Sequence, residues 1–482
     1  MPSLPARRDP FARAGGGWVA TVTVAGVVLA AGKGTRFRSD LAKVLHPAAG
    51  RTILRWVLEA LRPLELDRVV VVVGHQGEAV AAEAEAAGLP GLRTVRQDEQ
   101  NGTGHALRAA VDSGALQGAE TVLVLPGDVP LLTAAPLRAL LDAHDGHGTL
   151  LTTELDDPTG YGRVLRDAGG VRAIVEERDA TEEQRGVREV GVSIYAFAHK
   201  ALAEALHRLS TDNAQGEEYL TDVVEIMAPA GVGAILIEPG EVAGVNDRVQ
   251  LADAGGVLRR RILERLMRDG VTVVDPATTY VAPEVTVGPD AVLLPGTHLE
   301  GATSVGAGAT VGPGARLVDT TVEDGASVTY SVLLGARVGP GAKVGPFAYL
   351  RPGARLERGA KVGTFVEVKG SVIGEDSKVP HLSYIGDTTI GRGANVGAAT
   401  VTVNYDGFEK HQTVIGDGAR IGSDTMLVAP VSVGADAYTG AGSVITKDVP
   451  EGSLAVERGE QRVIEGYAER KRKRMAGDDA AV

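Results

Sequence analysis

The chain divides into two stretches that differ in the spacing of their hydrophobic residues. From Val22 to about Val245, short aliphatic runs such as AGVVLAA, RVVVVVG and TVLVLPGD alternate with helix-like segments such as ILRWVLEALRPL and PLRALLDAH. Alternating strands and helices indicate a parallel sheet with helices on both faces, and strands covered on both faces are hydrophobic along their length. The first stretch is therefore predicted to be an α/β, Rossmann-like domain that binds ligands at the carboxyl ends of its strands.

A linking helix is predicted to follow over residues 247–270, in the segment RVQLADAGGVLRRRILERLMRDG. The helical period is expected to bring four apolar side chains near one face, namely Leu251, Val257, Ile262 and Leu266.

Beyond residue 271 the aliphatic residues recur at every sixth position, and glycine often follows them where a tight corner needs a positive φ. This repeat indicates a parallel β-helix with three short strands per coil. A turn-rich β-sandwich would instead show period-two strands spaced about 8–12 residues apart. A β-helix leaves flat faces exposed, so association through them is expected; enzymes with such a domain most often form trimers, and a homotrimer is therefore the expected assembly. The residues that keep the spacing are Val287, Leu293, Leu299, Val305, Val311 and Leu317, then Val338, Val344, Leu350, Leu356, Val362 and Val368, and finally Ile415, Ile421, Leu427 and Val433.

The length, net charge and cysteine content of the chain argue against several classes of protein. A chain of 482 residues is too long for one ordinary core. Its net charge of −13 argues against binding to nucleic acid or to anionic membranes. Cysteine is absent, which removes disulfides and thiolate chemistry and fits a soluble, cytoplasmic enzyme. The apolar WVATVTVAGVVLAAG near the start resembles an export signal, but it is β-branched and leads into a glycine-rich loop, so we interpret it as a buried strand.

The predicted organisation has five parts. A disordered extension covers residues 1–22, the α/β domain 23–246, the linking helix 247–270, the β-helix 271–467, and a basic, disordered tail 468–482.

The first candidate for chemistry is LAAGKGTRFRSDLAKVLHPAAGR, which begins at Leu29 directly after a strand. Gly32 and Gly34 allow the backbone to approach phosphate oxygens, while Arg36 and Lys43 add positive charge. This spacing differs from the nucleoside-triphosphatase P-loop and resembles the signature of sugar-1-phosphate nucleotidyltransferases.

That resemblance implies roles for further residues. Arg36 and Lys43 are the expected catalytic cations, and Asp128 and Asn246 the ligands of one or two Mg²⁺ ions. The implied reaction is attack by the phosphate of N-acetylglucosamine 1-phosphate on the α-phosphorus of UTP, with loss of pyrophosphate. The residues implied to bind UTP or the UDP-sugar are Leu29, Ala30, Gly32, Gly34, Lys43, Gln97, Gly102, Thr103, Gly162, Glu176, Gly191 and Asn246. Among them, the resemblance assigns Gln97, Gly102 and Thr103 to the pyrimidine, and Gly162 and Glu176 to the sugar.

The chain departs from the family pattern at two positions. Pro126 stands where an aromatic residue usually precedes the Gly-Asp pair, and Gly191 where an asparagine is frequent. Both departures bear on contacts with the sugar rather than on the reaction.

A second candidate site interrupts the six-residue repeat, in YLRPGARL, VEVKG, VPHLSYIGD, NVGAATVTVNYDG and GSDTMLVAP. These segments resemble the acetyltransferase domain of the bifunctional N-acetylglucosamine-1-phosphate uridylyltransferase/glucosamine-1-phosphate N-acetyltransferase family. The combined resemblance covers about residues 23–467 and implies a left-handed β-helix with hexapeptide repeats.

Acetyl transfer from a thioester to an amine needs a base for the amine proton, and His381 is the candidate, with Glu367 as a possible aid. Arg351 and Lys369 would bind the phosphate of glucosamine 1-phosphate. The acceptor pocket is expected to include Tyr384 and Asn395, together with Asn404 and Tyr405, which also belong to the expected acetyl-coenzyme A site. That site is implied to consist of Ala398, Asn404, Tyr405, Ser423, Ala441 and Arg458.

Two other interpretations remain at this stage. One is a single-function sugar-1-phosphate nucleotidyltransferase whose β-helix is structural or regulatory, as in ADP-glucose-type enzymes; His381, Lys369, Asn404 and Tyr405 argue against it. The other is a non-catalytic subunit resembling translation-initiation exchange factors, which would not need Arg36, Lys43, Asp128 and Asn246 together.

Overall fold

A computed structural model describes residues 23–167 and 170–476. The predicted extension 1–22 lies outside the described residues. Contacts divide the chain into two compact units, Met1–Leu258 and Arg259–Val482, so that the division falls inside the helix Arg248–Arg268.

The first unit is built on a mostly parallel sheet. Its first strand, Val24–Ala30, pairs in parallel with Arg68–Val73 on one side and with Thr121–Pro126 on the other. The sheet therefore extends in both directions from this strand, and such a switch point is where α/β sheets bind ligands. The strands in spatial order are Val232–Leu236, Gly148–Glu154, Glu189–Ala198, Thr121–Pro126, Val24–Ala30, Arg68–Val73 and Leu92–Arg96, with the hairpin Arg163–Asp167 and Gly170–Val175 attached to Glu189–Ala198.

One central strand departs from the predicted parallel arrangement. Glu189–Ala198 is antiparallel to both of its neighbours, Thr121–Pro126 and Gly148–Glu154. A parallel strand needs a crossover of a dozen or more residues, usually a helix. Here a hairpin and the four-residue helix Glu182–Arg185 precede the strand, and the chain returns in the opposite direction.

Helices cover both faces of the sheet, as predicted. One core contains Leu107, Leu202 and Val223, and the other contains Leu58, Val80 and Leu137. The helices are Ile53–Leu61, Gly77–Ala86, Thr103–Asp112, Ala134–Asp142, Glu182–Arg185, His199–Leu206 and Asp222–Met227. The 3₁₀ turns are Thr35–Phe37, Lys43–Leu45, Arg62–Leu64, Ala228–Ala230 and Pro239–Glu241, and a small ladder joins Pro47–Ala48 to Arg51–Thr52.

The linking helix spans Arg248–Arg268, and the prediction for its apolar face was wrong at Val257, which is 40% exposed. At about 100° per residue, position 257 lies about 120° from Leu251, whereas position 258 lies only about 20° from it. Leu258 is accordingly buried, as are Ile262 and Leu266.

The second unit is a parallel β-helix with three faces, which have 11, 10 and 9 strands. The first face consists of Thr272–Val273, Val292–Leu293, Thr310–Val311, Ser327–Val328, Lys343–Val344, Lys361–Thr364, Lys378–His381, Asn395–Val396, Arg420–Ile421, Tyr438–Thr439 and Leu454–Ala455. The second consists of Tyr280–Val281, His298–Glu300, Arg316–Val318, Val332–Leu334, Tyr349–Leu350, Glu367–Lys369, Tyr384–Gly386, Val401–Val403, Met426–Val428 and Val444–Ile445. The third consists of Thr286–Val287, Ser304–Val305, Thr321–Val322, Arg337–Val338, Arg355–Leu356, Val372–Ile373, Thr388–Ile390, Thr413–Ile415 and Val431–Val433.

The six-residue repeat forms the interior of this β-helix. Each aliphatic residue of the repeat from Leu293 onwards is buried, and only Val287 in the first coils is partly exposed. The prediction of a β-helix is therefore confirmed by the burial of the residues that carried it.

The C-terminal segment differs from its prediction. Residues 468–482 were expected to be disordered, but Tyr467–Met475 forms a helix, and every residue of it is exposed. An ion pair of 3.1 Å between Lys473 and Glu469, one turn apart, supports it. Within residues 23–167 and 170–476, no helix is long and apolar enough to cross a membrane.

Candidate active sites

The glycine-rich loop leaves the first strand at the switch point of the sheet. Gly34 has a φ of 60°, and a Cβ atom there would lie 2.6 Å from the Cβ of Lys43. Glycine is thus required both by the backbone and by the close approach of Lys43. Gly127, after the neighbouring strand, donates its N–H to the carbonyl of Leu29 at 2.9 Å, which brings Asp128 beside the same loop.

Four of the predicted residues meet there. The ammonium of Lys43 forms an ion pair with the carboxylate of Asp128, and it lies 3.5 Å from the amide oxygen of Asn246. The guanidinium of Arg36 donates to the same amide oxygen at 3.0 Å. The N–H of Val245 donates to the carbonyl of Asp128 at 2.9 Å and fixes the two segments together. Segments that are distant in sequence therefore place two cations against two oxygen donors.

This donor set suits a hard cation that also binds phosphate. Within the described part of the chain, no group of three or more His, Cys, Asp or Glu side chains could hold a metal ion. Mg²⁺ usually needs only one or two protein oxygens, because substrate phosphates and water complete its shell. Asp128 and Asn246 offer two oxygens that already converge on a positive charge.

The residues expected to recognise the pyrimidine form a separate group. Gln97 is buried at the end of the strand Leu92–Arg96, and its amide nitrogen donates to the carbonyl of Gly102 at 3.1 Å. Thr103 begins the next helix, and its hydroxyl accepts the N–H of Leu220 at 3.1 Å. Three strand spacings, about 14 Å, separate this strand from Thr121–Pro126, so a nucleotide would extend along the sheet edge.

Glu176 is half-buried just after the strand Gly170–Val175, and its carboxylate accepts a hydrogen bond from Thr221 at 3.1 Å. Burial raises the pKa of this carboxyl. A Cβ atom on Gly162 would lie 3.6 Å from the carboxylate, so these two predicted sugar-site residues are neighbours.

Gly191 belongs to the same group, because its N–H donates to the carbonyl of Gly162 at 3.0 Å. A Cβ atom on Gly191 would lie only 3.0 Å from Cδ1 of Ile174, which is buried. Gly191 thus stands where an asparagine is frequent in the family, and the side chain of Ile174 fills the space next to it.

In the β-helix, five predicted residues lie around the second face. Lys369 binds both carboxylate oxygens of Asp387, at 2.7 and 2.9 Å, and the amide of Asn404 donates to the same carboxylate at 2.6 Å. Arg351 pairs with Glu367 at 3.0 Å, and Glu367 is in register with Tyr384 on the next coil. These contacts form a charged cluster suited to a phosphate-bearing acceptor.

His381 ends the strand Lys378–His381 on the adjacent face and is exposed, in register with Thr364. The carboxylate of Glu367, the expected aid to His381, binds the guanidinium of Arg351. His381 is exposed to solvent, and Glu367 belongs to the charged cluster that contains Arg351 and Lys369.

The residues expected at acetyl-coenzyme A lie on successive coils. The N–H of Asp424, next to Ser423, donates to the carbonyl of Ala398 at 2.7 Å, and Arg458 donates to the carbonyl of Ala441 at 3.0 Å. Tyr405, also expected there, is exposed, and its hydroxyl donates to the carbonyl of Gly407 at 2.7 Å. Asn395, which was expected in the acceptor pocket, lies on the first face between Lys378 and Arg420.

Several residues at these sites escaped the sequence analysis. The pKa of Tyr161 is raised by burial and by the carboxylate of Asp128, and contact with the Lys369 ammonium lowers the pKa of Lys410. Asp387 could have been predicted, since it ends the motif HLSYIGD of the second candidate site. No sequence pattern connects Thr221 to Glu176, because the two residues lie 45 positions apart in the chain.

Comparison with protein families matches both halves of the chain. Residues 26–230 match the MobA-like NTP transferase domain, and residues 412–447 match the bacterial transferase hexapeptide repeats. The predicted combination of an α/β nucleotidyltransferase fold with a left-handed hexapeptide β-helix is confirmed.

Whole-length relatives share this arrangement. The chain is 55% identical to the Bifunctional protein GlmU of Streptomyces avermitilis over 94% of its own length and 96% of the relative's. It is 54% identical to the protein of that name from Streptomyces coelicolor, again over 94% and 96%. The corresponding protein of Thermobifida fusca is 55% identical over 92% of this chain and 94% of the relative.

Proposed function

The chain belongs to the GlmU family of bifunctional enzymes of UDP-N-acetylglucosamine synthesis, with acetyltransferase and uridylyltransferase activities, and we propose which residues perform each reaction. The uridylyl transfer is assigned to the cluster of Arg36, Lys43, Asp128 and Asn246. The acetyl transfer is assigned to His381 and the charged residues around Lys369. The observation that carries the proposal is the contact of Lys43 with both Asp128 and Asn246.

In the first domain, a phosphate oxygen of N-acetylglucosamine 1-phosphate attacks the α-phosphorus of UTP, and the bond to the β-phosphate bridge breaks. Arg36 and Lys43 bind the phosphates and offset the charge that builds up there. Asp128 and Asn246 hold Mg²⁺, which when bound neutralises phosphate charge. Glu176 and Gly162 line the sugar site, and Gln97 with Gly102 and Thr103 binds the pyrimidine.

In the β-helix, the amine of glucosamine 1-phosphate attacks the thioester carbonyl of acetyl-coenzyme A. His381 accepts the proton that the amine loses, and the thiolate of coenzyme A leaves and is protonated. Arg351 and Lys369 bind the sugar phosphate, which positions the amine. The product, N-acetylglucosamine 1-phosphate, is the acceptor for the first domain.

The test of this assignment is Asp128→Ala, assayed separately for the two half-reactions. Pyrophosphate release is expected to fall by about 10³-fold or more, because a metal ligand and the partner of Lys43 are lost together. Release of coenzyme A should stay within about twofold of the unsubstituted enzyme. Asp142→Ala, at an exposed position in the helix Ala134–Asp142 of the same domain, is the matched control and should leave both rates unchanged. Parallel loss of both activities in Asp128→Ala would refute the assignment.

A homotrimer formed through the β-helix is part of the proposal. It is supported by a ridge of exposed apolar residues on successive coils, in which Tyr330, Phe347 and Phe365 stack with ring centroids 5.7 and 5.5 Å apart and Leu382 follows. Exposed apolar patches of this kind mark association sites. Phe365→Glu is expected to shift sedimentation from a trimer towards a monomer, whereas Leu236→Glu, on the first domain, should not. A monomeric unsubstituted enzyme would contradict the proposal.

We also propose that the enzyme works in the cytoplasm on small molecules, namely UTP, acetyl-coenzyme A and the two sugar phosphates. The absence of cysteine and the net charge of −13 support that setting and give no support to nucleic-acid binding.

A further inference from the structure

A buried arginine lies behind the sugar site. The side chain of Arg163 is only 2% exposed, although it carries a permanent charge. Its guanidinium donates to the carboxylate of Glu177 at 2.6 Å, to the carbonyl of Tyr161, and to the carbonyl of Arg185 at 3.3 Å. Glu177 is thus the negative charge that compensates the buried guanidinium.

The same contacts join two loops. Arg163 follows Gly162 at the end of the loop 158–162, and Glu177 follows Glu176. The N–H of Gly160, in the first of these loops, also donates to the carboxylate of Glu177, at 3.4 Å from the oxygen that binds Arg163. The ion pair therefore joins the residue that follows Gly162 to the residue that follows Glu176.

Further contacts from Arg185 hold the ion pair of Arg163 and Glu177 in place. The guanidinium of Arg185 donates to the backbone carbonyl of Glu177 at 3.4 Å and lies 3.8 Å from its carboxylate. The hydrogen bond from Arg163 lowers the pKa of Glu177, so the carboxylate stays ionised at neutral pH. Hydrogen bonds between charged groups are stronger than those between neutral groups, and a buried charge that loses its partner is strongly unfavourable.

We propose that Arg163 and Glu177 are positioning residues, which hold Gly162 and Glu176 at the separation that binds the sugar of N-acetylglucosamine 1-phosphate. They touch no substrate and act only through the two loops. The inference rests on the proposed assignment of Gly162 and Glu176 to the sugar site.

The experiment compares Glu177→Ala and Glu177→Gln in the full-length enzyme. Glu177→Ala should raise the KM for N-acetylglucosamine 1-phosphate by about tenfold, the lower end of the range for one lost charged hydrogen bond. The KM for UTP should stay within about twofold and kcat within about threefold. Glu177→Gln keeps an oxygen that accepts from Arg163 and should recover most of the loss. If the ion pair only stabilised the fold, Glu177→Ala would lower the unfolding temperature but would not change the KM for N-acetylglucosamine 1-phosphate more than the KM for UTP.

Arg166→Ala is the matched control, because Arg166 lies on the same strand as Arg163 but pairs with Glu189 of the strand Glu189–Ala198, with contacts of 2.8 and 2.7 Å. It should leave both KM values unchanged. Glu176→Gln separates the inference from the assignment beneath it. If Glu176→Gln changes the KM for N-acetylglucosamine 1-phosphate and Glu177→Ala does not, the positioning role is wrong, but the assignment of Glu176 to the sugar site stands. No effect of Glu176→Gln overturns the assignment itself.

Discussion

Lys43 forms an ion pair with Asp128, and its ammonium also lies 3.5 Å from the amide oxygen of Asn246. The side chain therefore occupies the position between the two oxygens proposed to hold Mg²⁺. Without a nucleotide, this ammonium would compete with Mg²⁺ for the same donors. The phosphates of a bound nucleotide would offer Lys43 another anionic partner and leave the two oxygens to the metal ion.

Lys43→Ala is predicted to separate metal binding from catalysis. Titration calorimetry without nucleotide should show Mg²⁺ binding that is several-fold tighter, because the competing ammonium is gone. The rate of uridylyl transfer should nevertheless fall by about 10²–10³-fold, the usual loss for one stabilising group at the reacting phosphate. Lys200→Ala, an exposed lysine of the same domain, serves as the control. Weaker Mg²⁺ binding in Lys43→Ala would contradict competition.

His381→Ala is predicted to remove acetyl transfer alone. The loss of a general base costs about 10²–10⁴-fold, so the release of coenzyme A should fall by that factor. Pyrophosphate release from UTP and supplied N-acetylglucosamine 1-phosphate should not change. His207→Ala, at an exposed position in the first domain, is the control. Full acetylation by His381→Ala would show that another group accepts the proton.

The sequence predicted the interior of the β-helix well, because burial there depends on a local repeat: Leu293 and Val311 are buried for the reason that their spacing indicated. It also indicated Lys43 and Asp128, since both lie in segments that leave the carboxyl ends of strands, Val24–Ala30 and Thr121–Pro126. Lys369 meets Asp387 one coil later, and their separation of 18 residues is that of three six-residue repeats, so this pairing could be predicted from the repeat. Pairings that depend on strand direction were not accessible. The antiparallel direction of Glu189–Ala198 has no local signal.

Asp222 is predicted to make the stability of the first domain depend on pH. Burial, with help from the carboxylates of Glu225, Glu176 and Asp179, raises its pKa to about 6. The folded state therefore binds this proton more tightly than the unfolded state, and stability falls as the pH rises from about 4 through 6. Asp222→Asn should raise the unfolding temperature by about 2–4 °C at pH 7.5, as about 1 kcal/mol does for a domain of this size. Calorimetry at pH 4 should show almost no gain, and an equal gain at both values would contradict the account.

Gly191 and Ile174 are predicted to be energetically coupled. Gly191→Asn brings a Cβ atom to 3.0 Å from Cδ1 of Ile174 and should cost about 1–2 kcal/mol of unfolding free energy through overpacking. Ile174→Val removes that methyl group and alone should cost about 1 kcal/mol. The double variant should be more stable than the sum of the two costs implies, as measured by urea unfolding. Strict additivity would show that the two side chains do not compete for space.

The central claim is that one chain performs both reactions at separate sites. The most direct test supplies the purified enzyme with acetyl-coenzyme A and glucosamine 1-phosphate, without UTP, and measures free coenzyme A. The account predicts release that requires the sugar phosphate, persists in Lys43→Ala and disappears in His381→Ala. Absence of acceptor-dependent release, in a preparation that still forms pyrophosphate from UTP and N-acetylglucosamine 1-phosphate, would contradict it.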